Sequence, residues 1–121
     1  MANPFVHVEL QTTDLKKARD FYSRLFDWKL EDQQMPGFGT YTMIGVGEGT
    51  GGGMMASQNP GAPSQWLAYV EVPDLASATR KAKELGAKVL VDITPVADMG
   101  KFIIIADPTG ATLGLWQTTR K

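Results

Sequence analysis

Phe5-Val6-His7-Val8-Glu9-Leu10 alternates as a half-buried β-strand does, with Val6, Val8 and Leu10 on one face and His7 and Glu9 on the other. The apolar face is suited to pack under a helix, and a helical pattern follows at once. Thr12-Thr13-Asp14 supplies a short acceptor side chain for the open amides of a first turn. Leu15, Ala18, Phe21, Tyr22 and Leu25 then recur at helical spacing, with Lys16, Lys17, Arg19, Asp20 and Arg24 on the other side. Asp27 stands near the helix end, where a residue tolerant of left-handed geometry fits. The same design returns further along as Trp66-Leu67-Ala68-Tyr69-Val70-Glu71-Val72, followed by Asp74 and a second helical pattern. A shift of 60 residues lays Asp74 on Asp14 and Leu67 on His7.

Working outward, the rest of the chain fills both copies. Trp28-Lys29-Leu30 opens a strand, 33–39 with Pro36 and Gly37 reads as a turn or loop, and Tyr41-Thr42-Met43-Ile44-Gly45-Val46 is a strand. Residues 47–50 form a turn, and Gly52-Gly53-Met54-Met55-Ala56 is a last strand of small residues. In the second copy Leu75, Ala78, Ala82 and Leu85 make the inner helical face, and Gly86 sits where a helix-terminating glycine belongs. Lys88-Val89-Leu90-Val91 is a strand, 94–100 a loop, and Phe102-Ile103-Ile104-Ile105-Ala106 a buried strand. Asp107-Pro108-Thr109-Gly110 makes a tight turn into Thr112-Leu113-Gly114-Leu115-Trp116. Each copy reads βαβββ. The expectation is one α+β domain over 1–121, with repeats at about 1–57 and 65–121 and a proline- and glycine-bearing linker at 58–64.

With 121 residues, 43% of them hydrophobic and 21% charged, the chain has enough apolar surface for one shared core and not for two independent ones. A net charge of -1 with both signs interspersed excludes the basic footprint of a nucleic-acid binder. No apolar run approaches the roughly 20 residues that span a bilayer, and Met1-Ala2-Asn3-Pro4 lacks a signal-peptide pattern, so a cytoplasmic protein is expected. The absence of cysteine rules out disulfides, thiolate metal sites and a cysteine nucleophile. His7 is the sole histidine, and any histidine chemistry must use it.

Several phrases occur in order across nearly the whole chain: Thr12-Thr13-Asp14-Leu15 after the first strand, Ala18-Arg19-Asp20-Phe21-Tyr22 in the helix, Leu25-Phe26 before Trp28, Val72-Pro73-Asp74-Leu75, and Asp107-Pro108-Thr109-Gly110. With the doubled βαβββ pattern, the chain resembles the vicinal oxygen chelate superfamily, which includes glyoxalase I, bleomycin-resistance proteins and extradiol dioxygenases. The resemblance implies two modules forming a curved mixed β-sheet cup, helices on the convex side and ligands inside. It also implies pairing of two chains as a homodimer. Metal-using members carry one ligand on the first strand and one on the last strand of each module. Carried over residue by residue, those positions fall on His7, Leu67, Gly114 and, by the repeat, Gly53 with Met54 as its neighbour. Only His7 can bind a metal.

Two readings follow. The first is a metal-independent small-molecule binding protein of the bleomycin-resistance kind, with no cofactor. Glycines at 53 and 114 would open the floor of the cup, and Tyr69, Met54, Met55, Trp116, Phe38 and Tyr41 would offer apolar and aromatic surface to an organic ligand. Gly51-Gly52-Gly53 read alone is equally a bend or bulge, and Tyr69 a plain wall residue. The second reading is an enzyme: a lyase, isomerase or dioxygenase using Zn, Ni, Mn or Fe through His7, or an acid–base catalyst using His7, Glu9 and Glu71. In strand geometry Glu9 shares the face of His7, and Glu71 that of Tyr69. Two carboxylates facing one cavity can supply a base; at a wet rim they do nothing of the kind.

Overall fold

The computed structural model describes residues 2–35, 39–57, 61–96 and 98–119. Ten elements run in the order β1 (Phe5–Thr12), α1 (Leu15–Leu25), β2 (Lys29–Met35), β3 (Gly39–Gly45), β4 (Gly52–Ala56), β5 (Gln65–Glu71), α2 (Leu75–Glu84), β6 (Lys88–Val96), β7 (Gly100–Ala106) and β8 (Thr112–Thr118). The architecture is α+β, and the chain is two βαβββ modules, as the repeat predicts. Within the first module the strands lie in the order β2-β3-β4-β1, and within the second β5-β8-β7-β6. Each is mixed: β1 pairs parallel with β4 and β5 with β8, while the other pairs are antiparallel.

The helices begin where short acceptor side chains cap them. Asp14 accepts from the Lys17 amide, and Asp74 from the Ser77 amide. The Ser77 amide and hydroxyl hold the Asp74 carboxyl below the usual carboxylate range. At the end of α2, Gly86 has φ +101°, its amide bonding Lys83 and the next amide, of Ala87, bonding Ala82. Helix α1 ends differently: Phe26 is extended, and Asp27 does not adopt the left-handed conformation expected of it. The Asp107 turn closes as predicted, with Asp107 Oδ1 accepting from the Thr109 amide and hydroxyl and from the Ala111 amide.

Two segments expected to be loops are partly strand. Residues 33–35 continue β2, paired from Lys29 opposite Gly45 to Met35 opposite Gly39, because an edge strand tolerates the polar run Glu31-Asp32-Gln33-Gln34. Residues 94–96 continue β6 through register shifts, and Pro95 is accommodated because β6 also stands at an edge.

Contacts divide the chain into two compact units, His7–Leu67 and Met1–Val6 with Ala68–Lys121. The division does not fall at the linker, for Asn3 donates to the Glu71 carbonyl and the Glu71 amide donates to the Pro4 carbonyl. In the His7–Leu67 unit Leu10, Ile44 and Met54 form a core, packed against Leu15, Ala18, Tyr22, Trp28 and Leu30. In the other, Val72, Leu75, Ile103, Ile105 and Leu115 do so, with Val70, Ala78 and Ala82. Leu10 of β1, Val70 of β5, Leu15, Ala18 and Tyr22 of α1, and Leu75, Ala78 and Ala82 of α2 thus lie inward as expected, whereas Phe21, Leu25 and Leu85, also expected on the inner helical faces, are exposed.

Candidate functional site: a hydrogen-bonded histidine, tyrosine and glutamate

On the face of β1 turned from α1, His7, Glu9 and Gln11 follow one another at every second residue. Strand register sets what lies beside them. Glu9 pairs with Gly53, Gly53 with Met43, and Tyr41 with Met55, so these residues form rows on one sheet face. Tyr41 lies two pairs along from Gly53, at the next position on that face, and its ring leans diagonally across that glycine. A Cβ at Gly53 would overlap the Tyr41 ring.

This placement carries the phenol hydroxyl between two side chains of β1. Tyr41 Oη donates to Glu9 Oε1 at 2.9 Å and lies 2.7 Å from His7 Nε2. A phenol has one proton, and here the carboxylate takes it; the bonding pattern therefore assigns the imidazole proton to Nε2, which donates to Oη. The second Glu9 oxygen accepts from Gln11 Nε2 at 3.0 Å. Glu9 is buried, 7% exposed, and Tyr41 9%. Burial pushes the His7 imidazole below its ordinary 6.5, and the Glu9 carboxylate opposes that in part. The result is an imidazole, a phenol and a carboxyl group joined in one hydrogen-bonded chain.

The second unit repeats the glycine and tyrosine pairing. Tyr69 is opposite Gly114, and a Cβ at Gly114 would overlap the Tyr69 ring. Tyr69 also meets Phe102 edge to face at 5.9 Å. Trp116 lies across Gly100, and its indole N–H donates to Thr118 Oγ1, which donates to Glu71 Oε2 at 2.8 Å.

The expected site residues therefore sort by place. His7 and Glu9 come together, joined by a residue the sequence reading treated only as apolar surface, Tyr41. Glu71 belongs to the other unit, where it holds Thr118 beside Trp116. Gly53 and Gly114 do not open a floor, since the room beside each is filled by a tyrosine ring, and no bulge interrupts the β1–β4 register. Met54 faces the helix side and is wholly buried in the core. Phe38 lies outside the described residues. The signal that finds Tyr41 is hairpin register: folding β3 and β4 about the turn at 47–50 sets Met43 opposite Gly53 and Tyr41 two pairs further on, on the same face.

Among the described residues, those at the family's four ligand positions do not make a divalent-metal site. Glycines stand at both last-strand positions, Leu67 at one first-strand position, and the described residues hold no group of three His, Cys, Asp or Glu side chains suited to a metal. A surface groove of about 640 Å³ lies beside α1, among Asp14, Lys16, Lys17, Arg19, Trp28 and Leu30, and includes none of His7, Glu9 and Tyr41.

The chain belongs to the Glyoxalase/Bleomycin resistance protein/Dioxygenase superfamily, whose profile matches residues 5–115. It is similar to "Putative glyoxylase CFP32" of Mycobacterium tuberculosis, 36% identical over 117 residues, covering 93% of this chain and 45% of the relative. It is also similar to the anthracycline biosynthesis protein DnrV of Streptomyces peucetius, 24% identical over 127 residues, with 90% and 45% covered. The chain thus spans less than half the length of these relatives. Among solved structures, methylmalonyl-CoA epimerase from Mycobacterium tuberculosis shares the fold, with a TM-score of 0.71, 17% identity, and 96% and 88% of the two chains covered. The protein BH1468 from Bacillus halodurans does so with a TM-score of 0.77, 15% identity, and 100% and 98% covered.

Proposed function

We propose that this chain is a small-molecule binding protein that holds an organic ligand, without a metal, against the sheet face of its His7–Leu67 unit turned from α1. One observation carries the reading: where the family resemblance sets metal ligands on the last strands, this chain has Gly53 and Gly114, with Tyr41 and Tyr69 laid over them. Aromatic rings beside a hydrogen-bonded imidazole suit a planar ligand with polar edges better than a cation. The anthracycline biosynthesis relatives make fused-ring aromatic metabolites the first probe class. Homodimeric pairing in the cytoplasm belongs to the same reading.

The test is metal analysis of protein purified without a histidine tag, with thermal-shift titrations against Ni, Zn, Mn and Fe(II) and against a panel of planar metabolites. The expected result is no metal and no shift with ions. A true ligand at about 100 times its Kd adds about 2.7 kcal/mol, a shift of several degrees. Stoichiometric metal lost in His7→Ala would overturn the reading.

The chain from His7 through Tyr41 to Glu9 favours a second reading, acid–base catalysis, because it joins an imidazole to a carboxyl group through a phenol. Under it Tyr41→Phe abolishes turnover of a ligand found in the screen while leaving its affinity within a few-fold; under simple binding no turnover exists to lose.

A further inference from the structure

We propose that the aromatic patch at the C-terminal end of α1 is the surface on which a second copy of this chain docks. The inference rests on the homodimeric pairing proposed above and names its surface. Tyr22 is the hub. It meets Phe21 edge on at 4.9 Å, Trp28 at 5.6 Å and Trp66 edge on at 5.5 Å, and Phe26 lies 4.7 Å from Trp28. Yet the rim of this cluster faces outward: Phe21 is 56% exposed, Leu25 55%, Phe26 44% and Trp66 40%.

The internal repeat shows that the fold does not require such a surface. With α2 laid on α1, Phe21 corresponds to Lys81 and Tyr22 to Ala82, and the chain past the helix reads Gly86-Ala87-Lys88 in place of Phe26-Asp27-Trp28; Leu25 alone keeps its counterpart, the exposed Leu85, so it is the aromatic part of the patch that the second module lacks. Helix α2 buries Leu75 and Thr79 and turns charged residues outward, whereas α1 buries no residue fully. The same scaffold therefore stands without the patch in the second module, and its presence in the first calls for a partner.

The dimensions and charges fit a copy of the same chain. Taking about 200 Å² for a large apolar side chain, the exposed fractions leave roughly 400 Å² of contiguous apolar surface. That is half of the about 800 Å² per partner in a stable interface, the usual share of an apolar centre inside a polar rim. The rim carries both signs. Lys17, Asp20 and Arg24 border a groove of about 390 Å³ together with Phe21 and Leu25, and Arg24 lies 3.9 Å from Asp20. Across a two-fold axis Arg24 of one copy can face Asp20 of the other, so the patch is self-complementary, as an isologous contact demands. In the relatives, of which this chain spans 45%, more than half of each polypeptide accompanies the matched module.

Sedimentation velocity over a micromolar concentration series tests this with the wild type, Phe21→Lys/Leu25→Lys and Leu85→Lys. Leu85 is a control, 69% exposed at the C-cap of the second helix. The expected result is a wild-type dimer, weakened at least about tenfold by the double substitution and unchanged by the control. Should the double variant fail to fold, hydroxyl-radical footprinting of the wild type replaces it, with Phe21, Phe26 and Trp66 protected at high concentration. A wild type that stays monomeric overturns both the pairing and the surface. A dimer indifferent to the double substitution, or one that leaves those side chains unprotected, overturns the surface and leaves the pairing standing.

Discussion

His7 is the residue on which the candidate site turns, and its environment makes a prediction with a definite sign. Burial lowers the imidazole below 6.5 in the folded chain, so between that folded value and 6.5 the unfolded chain binds more protons. Stability should therefore fall as pH drops below about 6.5 and level off beneath the folded pKa. As the only histidine, it gives a single imidazole Cε1–H resonance to titrate. The midpoint should lie under 6.5, and urea unfolding of His7→Gln should lack the wild type's loss across that window; a midpoint above 6.5 would sink this account. At this scale the sequence was half legible. Alternation along β1 placed His7 and Glu9 on one face, but Tyr41 joins them only because β3 and β4 pair in one register and Gly53 leaves room for a ring. No local pattern encodes that diagonal.

Among the elements, the second helix offers the cleanest check on how the chain is punctuated. Gly86 has φ +101° and an added Cβ would meet only Pro108 side-chain atoms, at 3.5 and 3.9 Å, which is ordinary contact. The penalty for Gly86→Ala is thus the backbone one, about 1–2 kcal/mol, read as a lower urea midpoint with an unchanged slope. A loss near zero would mean that the end of α2 re-forms without the left-handed residue. Helix starts, this glycine and the Asp107 turn were legible because each is a local bond between near neighbours. The extra lengths of β2 and β6 were not: Gln33-Gln34-Met35 and Thr94-Pro95-Val96 have weak strand character, and only partners across the hairpin, β3 and β7, hold them extended.

For the whole molecule, doubling of a βαβββ unit was legible because two caps and two faces recur at one spacing, and the family followed from it. What the repeat concealed is the division of the chain. One compact unit is the continuous stretch His7–Leu67, while the other joins Met1–Val6 to Ala68–Lys121. Closing the second requires a contact such as Asn3 with Glu71, 68 residues apart, and long loop closure slows folding. In refolding followed by pulsed hydrogen exchange, amides of β3 should gain protection before those of β5, with Glu71 among the last. Simultaneous protection of both would show that the division has no kinetic meaning.

The bond from the Glu71 amide to the Pro4 carbonyl also bears on synthesis at the ribosome. Residues 3 and 4 are made well before the unit that needs them, and must wait while the intervening stretch arranges itself. This segment thus leaves the ribosome tunnel uncommitted. Asn3→Ala, which removes a bond to the Glu71 carbonyl, should disturb the unit that holds 68–121 and spare 7–67, read as hydrogen-exchange protection in each.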